Sequence, residues 1–251
     1  MLKQYKHRPR DEAMELIETH IAQNGLVPHD KLPSERDMCD MWNLNRATLR
    51  SAVRRMIMEH RLYARVGAGT YVAPPKFVRH LQDMESLAST AEKMGRGLTT
   101  RLLHSGMLEC NKELSQKMRL KLGHRIFVLQ RLRSLDGVPT TLELSYVDYE
   151  RCPGIENRNL SAESLYSILR ADYGIQVTHG QENIGITYAT EQEAELLGIA
   201  QGTPAFYVNG VACDAEDRPV ECFKATSRAD QLLFTSVLTA QGGPEDGEPR
   251  P

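Results

Sequence analysis

No run of about 18 apolar residues occurs in the sequence, so nothing in it reads as a membrane-spanning helix. There is no C-x-x-C pair. The five cysteines (Cys39, Cys110, Cys152, Cys213 and Cys222) are odd in number and scattered, which argues against a disulfide framework and against a structural zinc site. Reduced, partly buried thiols are expected instead. The opening Met-Leu-Lys-Gln-Tyr-Lys-His-Arg lacks the apolar core of a signal peptide, and a cytoplasmic location is expected. Signs of catalysis are also missing. Residues 161–167 contain no G-x-S-x-G elbow, and Gly95-Arg-Gly97 lacks the strand-then-helix setting of a dinucleotide loop. His104, His124 and His179 share no metal-ligand spacing with one another or with any cysteine, so neither metal nor cofactor is expected.

Net charge is also scarce, at −2 over 251 residues, but it is unevenly divided. Residues 1–76 hold 13 Lys/Arg against 9 Asp/Glu, whereas residues 77–251 hold 18 against 24. A basic surplus in the first part suits a polyanionic partner, and the placement of its arginines sharpens that reading. The length allows two domains with cores of their own.

The stretch 32–72 organises the chain. Pro33 and Ser34 open a short helix, with Asp37 three residues on in a capping-box arrangement and Met38, Met41 and Trp42 on one apolar face. After a break at Asn43-Leu44, Asn45 is a good N-cap for a second helix running to about residue 60. Leu49, Ala52, Val53, Met56 and Ile57 recur at inward spacing, while Arg46, Arg50 and Arg54 sit four apart on another face. Residues 62–66, the turn Gly67-Ala68-Gly69 and residues 70–72 form a hairpin. A preceding helix starts at Pro9, carries Ala13, Leu16, Ile17, His20 and Ile21 as its apolar stripe, and stops at Gly25; His20 reads as a core-edge residue. Together these make a winged helix-turn-helix, a reader of duplex DNA. Arg46 and Arg50 are placed to meet base edges in the major groove, with Thr48 in reach of a phosphate or a base. Ser34 and Arg36 are assigned to phosphate, and Gly67 and Gly69 keep the wing tip free of bulk for the minor groove.

Ala73-Pro74-Pro75 ends the hairpin and sets a linker at about 73–80, separating a first domain (1–76) from a second (80–240). A helix is expected at 81–94, followed by strands near 99–108, 125–135, 140–147, 177–188, 204–213 and 220–227. Helices are expected near 111–120, 162–173 and 191–197. Asp136-Gly137 signals a hairpin and Glu216-Asp217 a tight turn, so the strands should form a mainly antiparallel sheet with helices against it, an α+β fold. The tail 241–251 is too polar to pack and should be disordered.

Arg131 and Arg133 lie two apart on a strand and project from one sheet face. Two guanidiniums side by side repel unless an anion lies between them; a phosphate or carboxylate ligand would serve, and so would cross-strand ion pairs with Glu143 or Glu182.

Leu32-Pro-Ser-Glu-Arg36, Asn45-Arg-Ala-Thr-Leu-Arg50 and Gly67-Ala-Gly-Thr-Tyr71 resemble the GntR family of bacterial transcription regulators, with Asn45 and Ala47 standing where that family more often has Ser and Thr. Arg131-Leu-Arg133, Thr141-Leu-Glu143-Leu-Ser145, Ser164-Leu-Tyr166, Pro219-Val-Glu221 and Ser227-Arg-Ala-Asp230 resemble the ligand-sensing UTRA domain of its HutC-type subgroup. The resemblance implies a chorismate-lyase-like second domain that binds a small effector without transforming it. It also implies that Arg131, Arg133, Ser164 and Tyr166 hold the effector's anionic end, and that Glu143 and Glu221 bond its polar groups. Ser227 stands where the subgroup usually has an aromatic residue, and Cys222 and Phe223 are also unusual there, so the resemblance does not name the ligand. The expectation is a homodimeric repressor that reads a near-palindromic operator with half-sites roughly 10 bp apart and is released by a phosphosugar or carboxylate. Two other readings remain open: a second domain that only dimerises, or one with lyase-like activity.

Overall fold

The computed structural model describes residues 8–81 and 87–237. The chain divides into two compact units, the first ending at Lys76 and the second starting at Phe77. The expected tail lies outside the described residues.

In the first unit, α1 (Pro9–Gln23) begins with Pro9 in its first turn and Asp11 and Glu12 at its positive end. Its Ala13 and Ile17 are fully buried, and His20 meets the Trp42 ring edge-on at 5.8 Å, the core-edge position expected of it. In α2 (Glu35–Trp42) the Ser34 Oγ accepts from the Asp37 N–H at 3.2 Å, and in α3 (Arg46–Met58) the Asn45 Oδ1 accepts from the Thr48 N–H at 2.8 Å. Between them Asn43 takes a left-handed conformation (φ 52°), which turns the chain within three residues. Met38, Leu49, Ala52, Val53 and Met56 form the core with α1, as expected. Met41 does not join it: its side chain is exposed, and Cys39 is buried instead. At 100° per residue, the buried sector of α2 runs from 38 through 42 to 39, and Met41 falls about 60° outside it, beyond Met38. The wing strands β1 (Leu62–Arg65) and β2 (Gly69–Val72) pair antiparallel, and Leu62 closes the core.

The second unit opens with β3 (Phe77–His80), which the sequence reading assigned to the linker. It pairs in parallel with the last strand, β10 (Leu232–Thr235). Four residues are too few to display an alternating pattern, and the partner lies some 150 residues away, so neither strand was expected. Of the helix expected at 81–94, α4 (Leu87–Lys93) is present; Leu81 is not helical, its N–H donating to Thr235 O beyond the end of β3, Met94 is a turn residue, and 82–86 lie outside the described residues. Next come β4 (Leu98–Glu109), α5 (Lys112–Met118), β5 (Arg125–Leu135) and β6 (Val138–Asp148). They are followed by α6 (Leu165–Tyr173), β7 (His179–Tyr188), α7 (Glu191–Leu197), β8 (Pro204–Cys213) and β9 (Pro219–Arg228).

Six strands make one antiparallel sheet in the order β4-β5-β6-β9-β8-β7. Positive φ at both Asp136 and Gly137 gives the β5–β6 hairpin a twist that matches its strands. On one face Phe127, Leu129 and Val147 pack against Leu165, Ile168 and Leu169 of α6. On the other, Ile126 and Cys222 pack against Leu114 and Met118 of α5. A smaller cluster of Phe77, Ala91, Leu135 and Leu232 joins β3, β10 and α4 to the sheet. All five cysteines are buried free thiols.

Candidate nucleic-acid interface and ligand pocket

On the first unit, Arg10 of α1 and Arg46, Arg50, Arg54 and Arg55 of α3 border a single shallow groove. The inward spacing of Leu49, Val53 and Met56 forces the arginines to the opposite side of α3. Arg46 is exposed at the first helical position, and Arg50 Nε donates to Glu35 Oε2 at 2.7 Å. Arg36 is exposed, 3.9 Å from Asp40, and half-exposed Thr48 lies in the first turn of α3, two residues after Arg46. Ser34 is engaged locally: besides accepting from Asp37, its hydroxyl donates to Asp37 Oδ2 at 2.7 Å.

At the wing, Gly67 (φ 73°) and Gly69 (φ 120°) occupy backbone conformations that side chains rarely adopt, and a Cβ on Gly69 would come within 2.9 Å of Lys31 Cε. Sequence reasoning missed Arg65. Its guanidinium lies 5.5 and 5.1 Å from the centroids of the stacked Tyr63 and Tyr71 rings, one more exposed cation beside the wing tip, where Arg65 pairs with Gly69. The signal available was the alternation Tyr63-Ala-Arg65 opposite Tyr71.

In the second unit, all six residues singled out as effector contacts line one pocket: Arg131, Arg133, Glu143, Ser164, Tyr166 and Glu221. Strand register brings them together. Arg131 pairs with Glu143 across β5–β6, Arg133 pairs with Thr141, and Thr141 pairs with Ser227 of β9. Ser164 is the N-cap residue of α6, and its side chain is not spent on capping. Tyr166 OH donates to Glu221 Oε2 at 2.7 Å, and Thr141 and Ser227 share a buried hydrogen bond of 3.0 Å.

Both guanidiniums are buried, Arg131 at 3% and Arg133 at 4% exposure. Arg131 Nη2 donates to Glu143 Oε2 at 2.7 Å, and Arg133 Nη1 lies 3.7 Å from the same oxygen. The cross-strand ion pair with Glu143 is therefore present. Glu182 instead takes Arg79 of β3, at 2.5 Å. One carboxylate does not use up two forks: Arg131 Nε and Nη1 and Arg133 Nε are buried with no partner among the described residues.

Electrostatics follow from this packing. Burial pushes the Glu143 carboxyl up, but Arg131 and Arg133 outweigh it and hold it below the ordinary carboxylate value. Burial and the charge of Glu143 raise Glu221 above that value, although the bond from Tyr166 works the other way. The Tyr166 phenol is pushed well up, by burial first and then by Glu221. The pocket thus combines a firmly ionised acid, a readily protonated one and buried guanidiniums with spare donors, which suits a polar anion. Arg79 also lines it, and is a residue the sequence reading missed. A single arginine beyond Pro74-Pro75 reads as linker charge until β3 is seen.

The model for "Bacterial regulatory proteins, gntR family" matches residues 9–72, and the model for the UTRA domain matches residues 93–232. The HTH-type transcriptional repressor NagR of Bacillus subtilis (strain 168) is 27% identical over 229 residues, covering 90% of this chain and 93% of NagR. The repressor PhnF of Mycolicibacterium smegmatis (strain ATCC 700084 / mc(2)155) is 29% identical over 218 residues, covering 87% of this chain and 88% of PhnF. A crystal structure of PhnF from Mycobacterium smegmatis superposes with a TM-score of 0.68 at 28% identity, over 91% of this chain and 100% of that one.

Proposed function

The chain belongs to the gntR family of bacterial regulatory proteins, in the HutC subgroup, and joins a DNA-binding helix-turn-helix to a UTRA domain; on that premise we propose that it is a repressor released by a small anionic metabolite bound at Arg131 and Arg133. The family consists of transcription regulators, not enzymes. NagR and PhnF are repressors by name, which supports repression here.

One observation carries the ligand assignment: three guanidinium nitrogens of Arg131 and Arg133, two residues that line the pocket, are buried without a partner among the described residues. Leaving such donors unbonded costs about 1–3 kcal/mol each, and a phosphate or carboxylate would satisfy them bidentately. A purely structural ion pair with Glu143 accounts for one donor and leaves the others idle. Ser164 and Tyr166 at the start of α6, with Glu143 and Glu221, supply further polar contacts to the rest of the molecule. In the head, Arg46 and Arg50 read base edges, Thr48 a base or phosphate, Ser34 and Arg36 phosphate, and Gly67 and Gly69 the minor groove. A homodimer presents two heads to a near-palindrome. For the ligand to release DNA, it must favour a dimer geometry that fits the operator less well, with a coupling of about 1–3 kcal/mol.

The test is a thermal-shift and calorimetric screen of phosphosugars and carboxylates against the full chain, followed by operator release with each hit. A hit should raise the melting temperature, loosen operator binding, and lose both effects in Arg131→Ala and Arg133→Ala. A hit whose binding survives both substitutions would place the effector elsewhere.

A further inference from the structure

Away from the pocket and the groove, three side chains from different segments converge at one end of the sheet. His179 opens β7, Cys213 closes β8, and the antiparallel register sets them directly opposite each other. Asp217 sits in the β8–β9 turn, at φ 59°. One imidazole nitrogen, the thiol sulfur and one carboxylate oxygen all lie within 4.8 Å of one another, the one such group among the described residues. We propose that His179, Cys213 and Asp217 form a site for a thiophilic divalent cation of the zinc class, with water as the fourth ligand.

The donor set of one nitrogen, one sulfur and one oxygen fits that ion's borderline softness. His179 Nε2 and Asp217 Oδ1 are 3.2 Å apart. Two ligand atoms on a tetrahedral ion with bonds of about 2.0–2.1 Å stand roughly 3.3 Å apart. The atoms behind the ligands are also placed as a metal site requires. His179 Nδ1 shares a 3.0 Å hydrogen bond with Thr178 Oγ1, which leaves Nε2 to face the cation. Arg119 Nη1 donates to Asp217 Oδ2 at 2.8 Å, which leaves Oδ1 turned toward His179. Outer contacts of this kind fix the tautomer and orientation of ligands. A bulge in the β8–β9 pairing between Ala212 and Cys213 re-aims the cysteine at the end of its strand.

Arg119 carries a charge of the wrong sign for a neighbouring cation. Its side chain and that of Asp217 are 60% and 63% exposed, however, so water screens the repulsion. Along the chain His179 shares no ligand spacing with any cysteine; the pairing of β7 with β8 supplies the proximity. On binding, the thiol proton leaves to solvent and the imidazole proton resides on Nδ1, where the Thr178 hydroxyl accepts it.

Titrating the full chain with Co2+, then with Zn2+, tests this. One equivalent of Co2+ should produce a thiolate-to-cobalt absorption band that Zn2+ abolishes. Cys213→Ser should lose the band. His179→Ala, a substitution at a half-exposed side chain that the fold tolerates, should weaken binding at least tenfold, and Thr178→Val about tenfold. Cys110→Ser should bind as the parent does. Absence of the band in the parent, or parental affinity in His179→Ala, would overturn the proposal.

Discussion

Arg50 of α3 reaches back across the helix-turn-helix to Glu35, its Nε 2.7 Å from the carboxylate at the start of α2. The partners are 57% and 39% exposed, so the pair is worth little in water. It nevertheless holds the proposed base-reading guanidinium against a carboxylate, and DNA must compete for it. With an operator recovered by selection from genomic DNA, Arg50→Ala should lose about 1–3 kcal/mol and relax the sequence requirement at one position. Glu35→Gln should gain a few-fold in affinity at low salt, because the competing negative charge is gone and the remaining amide oxygen is a weaker acceptor. Fluorescence anisotropy over a salt series reads both. Equal losses in the two variants would mean that the pair acts as a unit in binding, not as a competition.

Glu221 sets a pH dependence for the proposed ligand. Its raised value means that it holds a proton at pH values where an exposed glutamate has lost it. Its contribution to folding is therefore complete below the ordinary glutamate range and is lost as pH rises through the raised value. An anion in the pocket favours the same protonated form. Ligand affinity should fall as pH rises through that value, and Glu221→Gln, which still accepts from Tyr166, should flatten the fall. Comparing calorimetric slopes of parent and variant cancels the ligand's own ionisation. Identical slopes would remove Glu221 from the proposed pocket chemistry.

How much of this was legible in the sequence depends on how local each signal is. Ser34 and Asn45 cap their helices because a cap needs only its own next three residues, and those residues can be read directly. Asp136-Gly137 is local in the same way. Arg131 and Arg133 could be placed on one face from strand period alone, but whether Glu143 or Glu182 would meet them depends on register. The register gives Glu143 to Arg131 and leaves Glu182 to Arg79. Strands β3 and β10 were missed because a four-residue strand has its meaning in its partner. The approach of His179 to Cys213 is hidden for the same reason. Met41 shows the reverse error: a residue type that suits the core, one helix face away from it.

Gly210 of β8 should not tolerate a side chain. A Cβ there would stand 2.2 Å from the Gln181 carbonyl oxygen and 2.7 Å from Phe223 Cζ, so β7 or the phenyl ring must move. Phe223 lines the proposed pocket, so the damage should reach ligand binding. Gly210→Ala is expected to cost about 1–3 kcal/mol, lowering the melting temperature by several degrees, and to weaken the hit from the thermal screen. Unchanged melting and affinity would show that the two strands separate there at no cost.

Asp214 should make the second unit sensitive to acid. The carboxylate is 3% exposed and accepts four bonds. Glu216 N–H (3.1 Å) and Arg218 N–H (2.9 Å) donate to Oδ1, and Arg151 Nη2 (2.5 Å) and Arg218 Nε (2.9 Å) donate to Oδ2. Burial alone would raise its pKa, but these donors win and hold it below the ordinary aspartate value. The sign follows: the unfolded chain takes up the proton first, so the stabilisation is complete above the ordinary value and is lost as pH falls through the depressed one. Asp214→Asn puts an amide donor against an already donor-rich cluster and leaves Arg151 without its counter-charge. A loss of about 3 kcal/mol is expected near neutral pH, or roughly 6–12 °C in melting temperature, and the difference from the parent should shrink as the medium is acidified. Calorimetric melts of both proteins across the acid range would measure it, and a gap that stays constant with pH would mean that the side chain acts through its shape and not its charge.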